Sequence, residues 1–550
     1  MKIRSYLTVG ASLVAVAAMS SLSTGASAHL IYYPHRAGAT MAPGVMPAVS
    51  HKAPYVAPKK FKSGKWTDVA GVPFSGQGGW GPLQLTDGTI MMKQAFTGTA
   101  GVWYKLAPDK KGNYTDGTWT KLAAMPAGYS PDFFAEQVLP DGRVLIEGGE
   151  YNGGSGDWTN KGALYDPVAN SWTSVSPPSG WASIGDAESV ILPDGTFMLG
   201  GCCGFTTGVQ ALASISGNNV TWTTSNTWTC QSGDPCMDEE GFTALPDGDV
   251  FLVDVWDFTS TSDEYWIYNT SAGTWGEAGN TPDRLSDSNY YELGAAPLTP
   301  LYGKKGTIIQ LTANTTTQNA PNDIYDVASG KWKTGPIMKV GNTTYIAADA
   351  PSATLPDGNV LAEAGPGYAA APAAFFEWRI STKGKVTATE VNGTKTSGQS
   401  ADFTGNLLPL PTGQVLWDDS QYSTEVAVYT PKGKVNKKWR PVVSSVDTTL
   451  TVGSTGNAIS GTNFNGFDLG GAYGDDAQAA TNFPLVRITN TASGDVCFGR
   501  SYDFSTMGVW TSGTTNAVFD LPSSCETGAS TLQVIVNGIA STGTSVTLNS

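Results

Sequence analysis

The sequence predicts an all-β protein, a seven-bladed β-propeller followed by a C-terminal β-sandwich. Three observations carry that expectation. A Leu-Pro-Asp-Gly signature recurs down most of the chain, and a tryptophan recurs in step with it. Near residue 440 both stop, and Gly, Thr, Ser and Val take over.

The chain begins with Lys2 and Arg4, an apolar stretch from Leu7 to Met19, and Ala26-Ser27-Ala28. A positive start, a short apolar run and small residues at a cleavage point mark a secretory signal peptide over 1–28. Its removal takes the formal charge from −15 to −17, because two cations and no carboxylates leave with it. The expected destination is the periplasm or the extracellular space, with no membrane span. A Pro- and Lys-rich lead occupies 29–62.

The propeller is expected over 63–440. Its turn signatures are LTDG at 85, LPDG at 139, 192, 245 and 355, LPTG at 410, and a degenerate LYGKKG at 301. They step by roughly 52 to 58 residues, which gives seven units. Proline fixes φ and glycine supplies a positive φ, so each signature closes a hairpin between two apolar runs. The flanking runs are short, rich in Val, Ile, Leu, Phe and Trp, and bounded by turn residues, as strands are. Repeats of this length with about four strands each suit propeller blades. Trp66, Trp119, Trp172, Trp275, Trp332 and Trp439 keep the same step. From 441 to 550, alternations such as PLVRITN and TLQVIVNGIA predict a small β-sandwich.

Composition narrows function. Only 14% of residues are charged, and 47 carboxylates face 32 Lys and Arg, which argues against a nucleic-acid partner. The three histidines lie at 29, 35 and 51. That scarcity excludes a serine triad and most histidine-built metal sites. Six cysteines in an exported chain predict disulfides. Cys497–Cys525 is expected as one bridge. Cys202, Cys203, Cys230 and Cys236 allow three pairings, with Cys202–Cys203 plus Cys230–Cys236 slightly preferred.

The hairpins, the Trp spacing and segments such as IGDAESVILPDGTFML and DEEGFTALPDGDVFLVD resemble the galactose oxidase-like branch of secreted kelch propellers, over roughly residues 63–550. The resemblance implies an immunoglobulin-like terminal sandwich. It also implies a functional position eight residues before the hairpin Asp, where copper radical oxidases carry a Tyr-His pair. Here that position holds Asp186, Glu239 and Asp349. Carboxylates are poor replacements for imidazole around Cu(II), so copper is disfavoured.

In such propellers this position starts the innermost strand, so Asp186, Glu239 and Asp349 are expected to converge and are the candidate catalytic residues. Glu188, Glu240, Glu292 and Asp402 are candidate ligand-binding carboxylates, and Asp132 or Glu136 is a further contributor. Trp181, Trp256 and Tyr291 are candidate aromatic contacts, because they fall outside the repeat register. Clustered carboxylates raise one another's pKa and can hold a proton, a cation or a polyol. No cofactor is expected, and Ca²⁺ is the cation such a site would accept. The expected function is recognition of an extracellular carbohydrate or other small molecule at an acidic central face. The alternatives are a carboxylate-dependent hydrolase or lyase and a protein-binding scaffold.

Overall fold

The computed structural model describes residues 64–98, 100–203, 205, 207–229, 237–259, 261–286, 293–314, 320–381, 383–474 and 479–550. Among them the only helical elements are three short 3₁₀ turns, and the rest of the regular structure is strand. No helix is long and apolar enough to cross a membrane.

Between Lys65 and Thr430 the chain supplies four strands to each of seven successive antiparallel sheets, and the sixth gains a fifth strand from further along the chain. Their innermost strands are Gly79–Gln84, Ala135–Val138, Ser189–Ile191, Thr243–Ala244, Leu298–Thr299, Pro351–Thr354 and Gly405–Pro409. In the seventh sheet the fourth strand is Lys65–Asp68, which pairs with Val426–Thr430. The chain therefore closes its own ring, and the fold is propeller-like.

The turn signatures do what their chemistry requires. Leu139 N donates to Arg143 O at 2.8 Å, and Leu192 N to Thr196 O at 2.8 Å. Gly142 and Gly195 hold φ of 83° and 90°, which a side chain would oppose. The aspartate completes an Asx turn: Asp141 Oδ1 accepts from Arg143 N at 3.0 Å, and Asp194 Oδ1 from Thr196 N at 2.9 Å.

Two of the repeated tryptophans, Trp66 and Trp172, join neighbouring sheets through their indole N–H groups, and so does Trp222, which the repeat spacing did not include. Trp66, Trp172 and Trp222 lie on fourth strands. Their indole N–H groups donate to the carbonyls of Asn392, Ala123 and Ser176, each just past the last strand of the preceding sheet. Trp439 breaks the expected pattern. It sits in the turn Lys437–Trp439, 6.2 Å from Phe467. The seventh sheet already has Trp66 in that place, brought there by ring closure.

Residues from Val442 onward form a nine-stranded sheet, eight strands in a path from Val442–Val446 to Thr449–Thr451 and Ile539–Ala540 pairing off it with Gly528–Val536. It packs on the end of the ring that carries the turn signatures. Ser501 N donates to Thr86 O at 3.1 Å, and Met507 N to Pro193 O at 3.0 Å. Cys497–Cys525 bridges this part, as expected. One of its segments leaves the path and enters the ring. Gly471–Tyr473 pairs antiparallel with Pro351–Ala353, and Gly470 O accepts from Thr354 N at 2.7 Å. The Tyr473 ring then lies 4.7 Å from Trp80 and 6.3 Å from Phe133. The inner edges of the first, second and sixth sheets thus meet on one inserted tyrosine.

Candidate functional site

In an antiparallel four-strand meander, the segment leading into the first strand and the link from the second to the third lie at the same end. This end is opposite the turn signatures. It gathers Asp186, Asp238, Glu239, Asp349 and Asp402 from the leading segments, and Cys202-Cys203 from the link after Phe197–Gly200.

Cys202 and Cys203 are bonded to each other, as preferred from the sequence. Cys230 and Cys236 lie outside the described residues. Asp186 Oδ1 lies 2.8 Å from Cys203 Sγ and 3.2 Å from Cys202 Sγ. Asp238 Oδ1 lies 2.8 Å from Cys202 Sγ. Disulfide sulfur carries no hydrogen, so a proton in these contacts must come from a carboxyl group. Burial pushes both aspartates well up, and the charge of Asp238 lifts Asp186 further. A hydrogen bond from the Cys203 N–H works the other way on Asp238. The pair therefore holds a proton near neutral pH.

Asp349 is half-buried, and its charge acts on both Asp186 and Asp402. The Tyr473 hydroxyl lies between Asp349 Oδ2, at 3.2 Å, and the Phe403 carbonyl. Its single proton serves one of them at a time. A side chain on Gly474 would collide with the Asp349 carboxylate, so glycine is what lets the inserted segment pass. Strain marks the same end: Phe133, Cys203, Met237, Glu239 and Asp349 all hold φ between 51° and 66°. Non-glycine residues in this region cost about 1–3 kcal/mol each and cluster at functional sites.

The other expected residues lie deeper. Glu188 is fully buried against Gly200, with neither oxygen hydrogen-bonded among the described residues. Burial holds its pKa well up. Glu240 is fully buried and accepts from Val255 N at 3.0 Å. Asp402 is buried, and burial followed by the Asp349 charge raises it against N–H groups of Ala348 and Gly365. Asp132 is tied to Lys93 at 2.7 Å, both buried, and Glu136 packs beneath Gly81. Trp256 is buried and donates through Nε1 to Asp238 O at 2.7 Å, so it fixes the aspartate's loop. Trp181 is buried with its ring 4.8 Å from that of Phe205. Tyr291 and Glu292 lie outside the described residues.

Sequence reasoning missed Asp238, Tyr473 and the partly exposed aromatic residues of this end, Phe96, Phe205, Tyr368, Phe403 and Tyr422. Asp238 directly precedes Glu239, which the hairpin count selected. The left-handed backbone at Met237 and Glu239 turns the neighbouring side chain toward the disulfide.

No family model matches the chain. Over 95 residues, 17% of the chain, it is 36% identical to the Kelch-like protein terF of Aspergillus terreus, and it spans 20% of that protein's length. This likeness agrees with the kelch resemblance of the repeats. Among solved structures, a fungal alcohol oxidase of the AA5 family in complex with copper aligns over 89% of this chain and 99% of its own, at 12% identity and a TM-score of 0.35.

Proposed function

We propose that the chain is an exported seven-bladed kelch-type propeller with an immunoglobulin-like C-terminal sandwich, and that it recognises an extracellular carbohydrate at its acidic face. One observation carries the reading: partly exposed aromatic residues surround a carboxylate centre. Phe96, Trp158, Phe205, Phe403 and Tyr422 lie on the loops around Asp186, Asp238 and Asp349. Aromatic faces stack on the apolar side of a sugar ring, while carboxylates accept its hydroxyl protons. The two disulfides are compatible with export. Copper has no place in this reading, because the described residues of the face offer carboxylates, phenols and a disulfide but no imidazole.

The test is a glycan-binding screen with the exported protein at acidic and neutral pH. Trp158→Ala and Phe205→Ala should each weaken the best ligand at least tenfold while thermal unfolding stays within a few degrees. A blank screen, or unchanged affinity in both variants, would reject the reading. The Asp186–Asp238 pair favours a second reading, a carboxylate-dependent hydrolase, because one protonated and one ionised carboxyl are the components of acid–base hydrolysis. Under that reading Asp186→Asn abolishes turnover of a bound glycan rather than its binding.

A further inference from the structure

We propose that Cys202, Cys203, Asp186 and Asp238 form a redox-gated site for a thiophilic divalent cation, closed while the two sulfurs are bonded and opened by two-electron reduction. One ligand atom from each residue lies within 4.8 Å of all the others. Asp186 and Asp238 are 8% and 9% exposed, and both aim Oδ1 at the sulfurs. Among the described residues no Lys or Arg forms an ion pair with either. Two buried carboxylates thus face two atoms that in the bonded state supply neither a proton nor a positive charge. Such an arrangement lacks a counter-charge, and a metal ion supplies one.

Reduction changes the donor set. Two equivalents of a thiol transfer two electrons and two protons to the disulfide, giving two cysteine thiols and one external disulfide. A divalent cation then displaces both thiol protons and the proton held by the Asp186–Asp238 pair, and is held by two thiolates and two carboxylates. Tetrahedral coordination with Zn–S of about 2.3 Å needs sulfurs roughly 3.8 Å apart. Cys202 and Cys203 are neighbours in the chain, and once the bridge is reduced their sulfurs are free to separate toward that spacing by side-chain rotation. Thiolates select Zn²⁺ or Cd²⁺ over Ca²⁺. The carboxylates set the site apart from a bare dithiol, because they hold the ion after it has been captured. The proposal does not depend on a carbohydrate ligand.

The test uses the full exported chain, oxidised or reduced with a phosphine that is then removed under inert gas, and titrated with Cd²⁺. The reduced protein should bind one equivalent more than the reduced Cys202→Ser, Cys203→Ser double variant, with a thiolate-to-cadmium absorption band, and the oxidised protein should give no such band. Asp186→Asn and Asp238→Asn should each weaken binding about tenfold or more. Cys202→Ser combined with Cys203→Ser should remove that equivalent while leaving every other cysteine in place. The proposal fails if the reduced double variant binds as many equivalents as the reduced parent, since Cys497 and Cys525 remain in both, or if the reduced protein binds nothing. It also fails if reduction abolishes the near-ultraviolet circular dichroism, since the bridge would then be a structural staple.

Discussion

Asp468 stands where the inserted segment leaves the C-terminal sheet, and replacing it with asparagine tests the electrostatics of that entry. It is 4% exposed, and its Oδ1 has no hydrogen-bond partner among the described residues. Burial raises its carboxyl from an ordinary 3.8 to about 7, against hydrogen bonds from Gly470 and Thr354 that act the other way. The folded chain therefore keeps a proton that the unfolded chain releases. This contribution to stability is complete below the ordinary carboxyl range and is lost as pH rises through the folded value. At about 1.4 kcal/mol per pH unit, the rise from 3.8 to about 7 amounts to roughly 4 kcal/mol. A carboxamide in its place has no such proton to lose. Denaturant midpoints of both proteins should be compared at intervals from about pH 4 to about pH 8, with the slope read against surface exposed on unfolding. Asp468→Asn should gain about 4 kcal/mol on the parent across that range, whatever its offset at the acidic end. A difference between the two that stays constant with pH would refute the assignment of a buried, protonated Asp468.

Two further substitutions probe the ring and the C-terminal sheet. Lys93→Met leaves Asp132 buried without its partner and should cost about 3–5 kcal/mol by calorimetry; adding Asp132→Asn should recover much of that loss, and no recovery would contradict a buried ion pair. Cys497→Ser with Cys525→Ser frees a loop of 28 residues and should cost roughly 3–4 kcal/mol of denaturant stability, whereas an unchanged midpoint would mean that the unfolded chain was already compact there.

The parts legible in the sequence were those written in local chemistry. Each Leu-x-Asp-Gly turn shows itself through residues that close a hairpin within about five positions, so the sheets could be counted along the chain. The adjacent Cys202–Cys203 bridge was similarly available. The central site was less so. The hairpin count selected Glu239 and passed over its neighbour Asp238, whose side chain faces the disulfide between the left-handed residues at 237 and 239. Tyr473 carries no repeat signature, since it reaches the face from a segment far along the chain from its pairing strand Pro351–Thr354. Trp439 kept the spacing without keeping the role. The place it was expected to fill belongs to Trp66, from the other end of the ring.

That closure has a consequence for the order of events during synthesis. Asp68 pairs with Ala427, 359 positions later. At about 5–20 residues per second, roughly 20–70 seconds pass between the appearance of the two partners. For that interval the strand waits with an open edge, the condition under which chains most readily pair with the wrong neighbour. Lys65–Asp68 is four residues long and carries a charge at each end. Shortness and charge are the features that keep a waiting edge from recruiting a stranger, and here they protect the strand that, among the described pairings, waits longest for its partner.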